Sequence, residues 1–276
     1  MKLTKAFLKS LLEKSDSDNK IFKRNILKEY LQVFVLDFIY SHPEYSNLVF
    51  YGGSCLSHCF GLPRLSEDLD FADIDRKINK TELIKDLKIY FDGNTDMKVT
   101  IKPQKFRIYL MFPILRELFL SSHSESDKLL LKIEIFSDFD FCSEYKIEAM
   151  PLFKYNKSIL IKTFDLNTLM ATKIRAILYR HWKTINKDGK VLIRVKGRDY
   201  FDLIWYLEKN IKPNFSCFSE FKSFDDLKAE LLKIIEKVDK KSIQLDLEAF
   251  IKDGIFVKNF SDNFKYILTR KIGEVF

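Results

Sequence analysis

Two short stretches constrain the fold of this chain most strongly: Gly-Gly-Ser at residues 52–54 and Asp-Leu-Asp at residues 68–70. The apolar run 48–51 predicts a short buried strand that leads into the first stretch. Ser54 is then predicted to cap a short helix over residues 55–60. A strand, a glycine turn and a helix N-terminus leave backbone N–H groups available to an anion, so this segment predicts a phosphate site.

Asp68 and Asp70 are predicted to lie on a strand, where residues two apart share a face. Leu69 and Phe71 then point into the core, while the two carboxylates point the same way. Two like charges at this distance are costly unless a cation lies between them. Carboxylate oxygens are hard ligands, so the pair predicts a site for Mg²⁺ or Mn²⁺ that also binds a phosphate-bearing substrate.

From residue 165 onward the sequence becomes helical. Residues 169–182 predict an amphipathic helix with Lys173 and Arg180 two turns apart on one face. Taken alone, Lys173 is typical of a surface lysine whose stem covers apolar neighbours.

A second helix is predicted over residues 198–210, with Asp199 and Asp202 on a shared face near its start. Without further information, two aspartates at a helix N-terminus are most simply explained by the helix dipole and by pairing with Arg198 or Arg180.

The segment between these helices is basic. Its cationic residues are Lys183, Lys187, Lys190, Arg194, Lys196 and Arg198. The whole chain has a formal net charge of +8. Such a balance suits a polyanionic partner such as a nucleotide or RNA, although abundant lysine, isoleucine, asparagine and phenylalanine are also typical of an AT-rich genome.

Three blocks of the sequence resemble the AbiEii/AbiGii toxin family, a MenT-like group within the polymerase-beta-like nucleotidyltransferases. The first block matches at Gly52, Gly53, Ser54, Leu56, Gly61, Arg64, Ser66, Asp68, Asp70 and Phe71. The second matches at Ala171, Lys173, Ala176, Ile177 and Arg180, and the third at Gly197, Arg198, Asp199, Phe201, Asp202 and Leu203. With this resemblance, function becomes the favoured explanation of Lys173, Asp199 and Asp202.

The resemblance implies a third metal ligand on the strand beside the Asp-x-Asp strand. Glu134 is the candidate, because it is a charged residue inside the apolar strand predicted over residues 129–136. The alternative is a surface charge on an edge strand, paired with Lys132 or another lysine. Asp68, Asp70 and Glu134 are therefore predicted to bind two Mg²⁺ ions, or Mn²⁺.

The resemblance also implies the remaining roles. Gly53 and Ser54 would bind the β- and γ-phosphates of a nucleoside triphosphate, and Lys173 would neutralise charge on it. Arg180 and Asp202 would complete the nucleotide site, with Asp202 orienting Lys173 or Arg180, and Asp199 would steer or deprotonate the acceptor hydroxyl. Lys183, Lys187, Lys190, Arg194 and Lys196 are predicted to bind the RNA acceptor.

The expected fold is α/β: a small mixed sheet of the nucleotidyltransferase fold, flanked by N-terminal helices and a C-terminal helical bundle. We expect N-terminal helices and a catalytic domain over residues 1–165, followed by a helical domain over residues 166–276. Helices are predicted over 4–14 and 20–41 before the catalytic sheet, and over 224–240, 242–251 and 261–272 at the end, where Ser261 is a candidate cap.

Composition excludes several other classes of protein. No apolar run approaches the roughly 20 residues of a membrane span, and the N-terminus lacks a secretory pattern. The four cysteines, Cys55, Cys59, Cys142 and Cys217, form no Cys-x-x-Cys pair, so we expect reduced cysteines in a cytoplasmic protein.

The predicted function is that of a toxin in a bacterial toxin–antitoxin or abortive-infection system. It would transfer nucleotides from a nucleoside triphosphate to RNA, most simply a tRNA 3′ end, and an antitoxin encoded beside it is a further expected partner. Two alternatives stay open: a nucleotidyltransferase that modifies a small molecule such as an antibiotic, and a non-catalytic nucleic-acid-binding protein. The basic segment argues against the first, and the separated carboxylates with Lys173 argue against the second.

Overall fold

A computed structural model describes residues 3–121, 126–185, 188–189 and 191–276. Backbone contacts divide the chain into two compact units. The first contains Met1–Phe139 and Ile147–Thr163, and the second contains Asp140–Lys146 and Phe164–Phe276. The chain therefore enters the second unit briefly at residue 140, returns to the first at residue 147, and leaves it again after residue 163.

The first unit contains four helices within the described ranges. They are α1 (Lys5–Glu13), α2 (Lys20–Ser41), α3 (Gly52–Phe60) and α4 (Lys80–Asn94). The first two coincide closely with the predicted helices, because a polar cap precedes each of them. Thr4 and Asn19 accept hydrogen bonds from the backbone N–H groups of the first turns of α1 and α2. Helix α2 buries an apolar face that includes Tyr30 and Phe34.

Among the described residues, seven strands form one mixed sheet. It belongs to the first unit except for Phe164, the last residue of its last strand. The strands are β1 (Val49–Tyr51), β2 (Asp68–Ala72), β3 (Thr100–Gln104), β4 (Arg107–Pro113), β5 (Lys128–Phe136), β6 (Ile147–Lys154) and β7 (Lys157–Phe164). Their order across the sheet is β3-β4-β5-β2-β1-β7-β6. Strand β2 lies near the middle, antiparallel to β1 and parallel to β5. The mixed sheet confirms the expected α/β fold.

Strand β5 alternates as its sequence predicts. Leu129, Leu131, Ile133 and Ile135 are all buried. The hairpin formed by β6 and β7 was not predicted, because β6 carries mostly exposed residues and lacks a clear apolar alternation. Its turn, Tyr155 and Asn156, has φ values of 52° and 58°, the left-handed conformation that two-residue hairpin loops require.

The second unit is mainly helical. Its elements within the described residues are α5 (Leu166–Tyr179), β8 (Thr184–Ile185), β9 (Val191–Ile193), α6 (Gly197–Glu208), α7 (Phe224–Glu236), α8 (Lys240–Leu247) and α9 (Gly254–Val275), with a short 3₁₀ turn at Phe215–Cys217. Helix α5 begins earlier than predicted because Asp165 caps it, and it ends before Arg180. Ser261 is not a cap: Asp253 caps α9, and the Ser261 hydroxyl donates to the Val257 carbonyl within the helix.

The expectation that all four cysteines are reduced is wrong for one pair. Cys142 and Cys217 form a disulfide within the second unit, whereas Cys55 and Cys59 are free. The two partners are 75 residues apart in sequence, so only the tertiary fold brings them together.

No helix of the described residues is long and apolar enough to cross a membrane.

Candidate active site

The register of three neighbouring strands places six polar side chains on one face of the sheet. Asp68 lies opposite Lys132 and Asp70 lies opposite Glu134 in the β2–β5 pair. On β4, Tyr109 lies opposite Lys132 and Arg107 lies opposite Glu134. Because directly paired residues share a face, these residues form a compact polar array. We call Asp68, Asp70 and Glu134 the acidic cluster.

Lys132 and Arg107 both contact the acidic cluster. Lys132 Nζ lies 2.9 Å from Asp68 Oδ2 and 2.8 Å from Glu134 Oε1. Arg107 Nε donates to the same Glu134 oxygen at 2.7 Å. Glu134 is therefore paired with Lys132, as the alternative explanation of its charge predicts. Glu134 is nevertheless buried on an internal strand, beside Asp70, rather than on a sheet edge.

Burial and the attraction of opposite charges act against each other on the pKa values of Asp68 and Lys132. Burial and the neighbouring Glu67 raise the pKa of Asp68, and the contact with Lys132 only partly offsets them. Burial lowers the pKa of Lys132, but the attraction of Asp68 and Glu134 outweighs it and raises that pKa to about 12. Lys132 is therefore a permanent cation at neutral pH.

The glycine turn shapes the space in front of these carboxylates. Gly52 has a φ of 80°, and a Cβ there would overlap Asp70 Oδ2. A Cβ at Gly53 would lie 2.6 Å from Arg64 Nη2 and 3.1 Å from Ser66 Oγ. A side chain at either glycine would therefore force its neighbours to move: Asp70 at the first, and Arg64 with Ser66 at the second.

Ser54 has a different structural role from the one predicted. Helix α3 begins at Gly52 with Tyr51 as its N-cap residue, so Ser54 is not a cap. The Ser54 hydroxyl is buried and donates to the Asp68 carbonyl, which ties α3 to β2. Gly52, Gly53 and Ser54 are the first three helical residues, whose N–H groups find no acceptor within a helix, so an anion site here stays a prediction.

We predict that Gly52→Ala disturbs both folding and the acidic cluster. A left-handed φ at a non-glycine residue and the displacement of Asp70 should together lower the free energy of unfolding by about 2 kcal/mol or more. Urea unfolding would measure this loss. Gly93→Ala is the matched control: Gly93 lies in α4 with open space around it, so alanine there should leave stability equal or slightly higher. Equal stability of both variants would contradict the close packing at Gly52.

A buried polar chain supports the loop before β2, and the sequence analysis did not predict it. Gln32 Nε2 on α2 donates to the Ser66 carbonyl at 3.0 Å. Its other amide atom, Oε1, accepts from His58 Nε2 on α3 at 2.9 Å. Burial lowers the pKa of His58 to about 3, so the imidazole is neutral. The only available signal was a glutamine inside the apolar pattern of α2.

In the second unit, α5 and α6 bring together the predicted nucleotide-binding residues. Lys173 Nζ lies 2.9 Å from Asp199 Oδ1 and 2.8 Å from Asp202 Oδ2, and all three residues are buried. Arg180 Nη1 contacts Asp199 Oδ2 at 2.5 Å. Burial raises the pKa of Asp199, but Lys173 and Arg180 outweigh it and lower the pKa to about 2.

The basic segment forms a small hairpin of β8 and β9, and part of it is described. Lys196 Nζ lies 5.6 Å from the ring centre of Trp182, a cation–π contact. The Arg194 backbone N–H donates to Ser242 Oγ at 2.9 Å, which anchors the end of the hairpin on α8. Lys187 and Lys190, which are also predicted to bind RNA, lie outside the described residues.

The acidic cluster has the donor chemistry for a divalent metal. Its three carboxylates lie on one face of adjacent strands, and carboxylate oxygens are the ligands that Mg²⁺ and Mn²⁺ prefer. Yet within the described ranges no three His, Cys, Asp or Glu side chains converge as a ligand set. Lys132 lies between two of the three carboxylates. The residues therefore fit a metal only if this ammonium group turns aside.

Comparison with known proteins gives one family and several similar structures. A family model described as "Nucleotidyl transferase AbiEii toxin, Type IV TA system" matches residues 37–270. The fold is similar to that of MenT4, a nucleotidyltransferase toxin from Mycobacterium tuberculosis H37Rv, with a TM-score of 0.55 and 13% identity over 99% of this chain and 89% of that one. JHP933 from Helicobacter pylori matches with a TM-score of 0.49 and 18% identity, over 91% of this chain and 94% of that one. No curated protein sequence matches the chain.

Proposed function

Since the chain belongs to the AbiEii family of nucleotidyltransferase toxins from type IV toxin–antitoxin systems, we propose that it transfers a nucleotide from a nucleoside triphosphate to the 3′ end of a tRNA in a metal-dependent reaction. The observation that carries this proposal is the acidic cluster, set on adjacent strands directly behind the glycine turn. Family membership implies an antitoxin partner. We expect the reaction to take place in the cytoplasm, where nucleoside triphosphates and tRNA are found.

The proposed reaction is an in-line displacement. The acceptor hydroxyl attacks the α-phosphorus, a new P–O bond forms, and pyrophosphate leaves with the electrons of the broken P–O bond. Asp68, Asp70 and Glu134 would hold the divalent metal, which when bound lowers the pKa of the attacking hydroxyl and stabilises both reacting oxygens. The N–H groups of Gly53 and Ser54 would bind the β- and γ-phosphates.

The ion-pair cluster of the second unit supports a more specific division of roles. We propose that Lys173 and Arg180 neutralise charge that develops on the triphosphate, and that Asp202 orients Lys173. Asp199 contacts both cations, and its pKa of about 2 makes it a poor proton acceptor. These contacts favour a role for Asp199 in positioning the cations or the acceptor. They argue against a role as a general base.

Labelling of RNA tests the proposed reaction directly. The full chain is incubated with total bacterial tRNA, Mg²⁺ and each α-labelled nucleoside triphosphate in turn. We expect label on tRNA with at least one nucleotide and none on tRNA whose 3′-terminal ribose has been oxidised with periodate. Label on internal positions or on a small molecule alone would contradict the proposed acceptor. No incorporation from any nucleotide, with tRNA or with small hydroxyl compounds, would contradict the proposed reaction as a whole.

The basic segment predicts how RNA binding depends on salt. Each phosphate contact releases a counter-ion, so if Lys183, Arg194 and Lys196 all bind phosphate, changing all three to glutamine should reduce the log–log slope of affinity against salt by about 2 to 3. Binding of the nucleoside triphosphate should stay the same. Fluorescence anisotropy with labelled tRNA at several salt concentrations measures the slope.

The matched control for this experiment changes three exposed lysines elsewhere in the second unit to glutamine: Lys237, Lys241 and Lys258. If the control reduces the slope as strongly as the first variant, binding reflects overall charge and not the basic segment. Equal loss of tRNA and triphosphate binding in the first variant would instead assign the segment to the nucleotide.

A further inference from the structure

Lys132 is a member of the polar array that has no role in the proposed reaction, although it contacts two of the three carboxylates of the acidic cluster. Its ammonium lies within 3 Å of one carboxylate on each of two strands, 2.9 Å from Asp68 and 2.8 Å from Glu134. It projects from the same strand as Glu134, two residues away, and lies directly opposite Asp68. Its side chain retains 21% exposure, so it is partly shielded from water and partly open to it.

Neutralising Glu134 does not require Lys132. Arg107 already donates to Glu134 at 2.7 Å, and the two lie directly opposite each other on β4 and β5. What Lys132 adds is a bridge from Glu134 to Asp68, the pair of oxygens that a shared cation would otherwise bridge. An ammonium group and a divalent metal cannot both occupy the space between these oxygens, because they repel each other and need the same lone pairs.

We propose that Lys132 is a resident counter-ion of the acidic cluster, which competes with the divalent metal for Asp68 and Glu134 and thereby sets the metal concentration at which the site is loaded. This inference rests on the metal requirement of the proposed function. In the metal-free protein Lys132 holds the two carboxylates together. On metal binding its ammonium swings outward along the exposed side of the array.

Direct metal binding separates this role from a purely structural one. If Lys132 only supported the fold, its loss would weaken metal binding or leave it unchanged. If it competes with the metal, its loss removes one positive charge a few ångströms from the site and exposes the carboxylates to the ion. The affinity for Mn²⁺ should then rise by about tenfold or more, since charges this close interact strongly in a partly buried site.

The experiment titrates the full chain with Mn²⁺ and measures free Mn²⁺ by electron paramagnetic resonance, without nucleotide. The variant is Lys132→Met, which keeps the apolar stem. Lys132→Arg keeps the charge and should bind Mn²⁺ about as weakly as the unaltered protein. Lys128→Met is the matched control, because Lys128 lies on the same strand, is exposed, and should have no effect.

Thermal unfolding supplies a second measurement that does not depend on activity. Without metal, Lys132→Met should unfold at a lower temperature, because the half-buried Asp68 and the buried Glu134 lose a shared cation. Saturating Mn²⁺ should then raise the unfolding temperature of the variant by more than it raises that of the unaltered protein, because the tighter site gains more from ligand binding.

The outcomes distinguish the inference from the proposed function. If the unaltered protein binds Mn²⁺ and Lys132→Met binds it equally or more weakly, the inference is wrong and the proposed function stands. If neither protein binds Mn²⁺, the inference is wrong, and labelling of tRNA with and without Mg²⁺ then tests the metal requirement of the proposed function separately. Tighter binding by Lys132→Met and unchanged binding by Lys132→Arg and Lys128→Met would support the inference.

Discussion

Asp70→Asn is expected to lower the rate of nucleotidyl transfer by about 10³-fold or more while the protein stays folded. Asp70 lies near the middle of the sheet, directly opposite Glu134, and its carboxylate packs against Gly52. Asparagine keeps the shape of the side chain but removes one negative charge, so the acidic cluster would lose metal affinity and transition-state stabilisation together. Asp68→Asn should behave similarly, because Asp68 is on the same face of the same strand.

This loss is measured as label transferred to tRNA per enzyme and as growth inhibition when each variant is expressed in bacteria. Circular dichroism and thermal unfolding establish that the variant is folded. Asp75→Asn is a suitable control: Asp75 is exposed just beyond β2 and contacts only Lys77 among the described ion pairs, at 3.5 Å. Full activity and toxicity of a folded Asp70→Asn protein would rule out a metal site at the acidic cluster.

The largest expected effect on stability comes from Asp202→Ala. Asp202 is fully buried on α6, and its carboxylate lies 2.8 Å from Lys173 Nζ. Its removal leaves the buried ammonium with a single carboxylate, Asp199, which Arg180 also contacts. Breaking a buried ion pair by removing one partner typically costs about 3 to 5 kcal/mol, much more than the pair itself contributes. Urea unfolding should show a loss of that order.

Two further variants identify the cause. Asp262→Ala removes a partner of Lys240 from an exposed ion pair in the same unit, with side chains 72% and 42% exposed, and should cost far less stability than Asp202→Ala. The double variant Lys173→Met with Asp202→Leu removes both charges and should recover much of the stability lost by Asp202→Ala, although not activity. If Asp202→Ala and Asp262→Ala cost the same, the buried cluster contributes no more than a surface pair.

Local patterns in the sequence predicted the elements that carry the site. The alternation at residues 68–71 and at 129–136 placed Asp68, Asp70 and Glu134 on strands, and the apolar spacing predicted the first two helices over 4–14 and 20–41. These predictions succeeded because each depends on residues only a few positions apart. The pairing of the strand of Glu134 with the Asp-x-Asp strand came from the family resemblance, and the register β2–β5 agrees with it.

What the sequence did not reveal depends on residues far apart in the chain. The position of Lys132 between two carboxylates requires the register of β5 against β2, and the bond of Ser54 to the Asp68 carbonyl requires the packing of α3 on β2. The disulfide between Cys142 and Cys217 and the support of Ser66 by Gln32 depend on similarly distant contacts. No local spacing encodes such contacts. The sequence therefore predicts a capping role for Ser54, and for Lys132 only an ion pair with Glu134.

The excursion of residues 140–146 into the second unit has a consequence for synthesis on the ribosome. This segment is made before the β6–β7 hairpin, but its partners are made much later: Ser143 donates to the Ser216 carbonyl, and Asn214 donates to the Glu144 carbonyl. Cys142 precedes Cys217 by 75 residues, which takes roughly 4 to 15 s at typical elongation rates. During that interval the sheet with its carboxylates can form while Lys173, Asp199 and Asp202 are still being added, so the acidic cluster can be in place on the ribosome before the ion pairs of Lys173 exist.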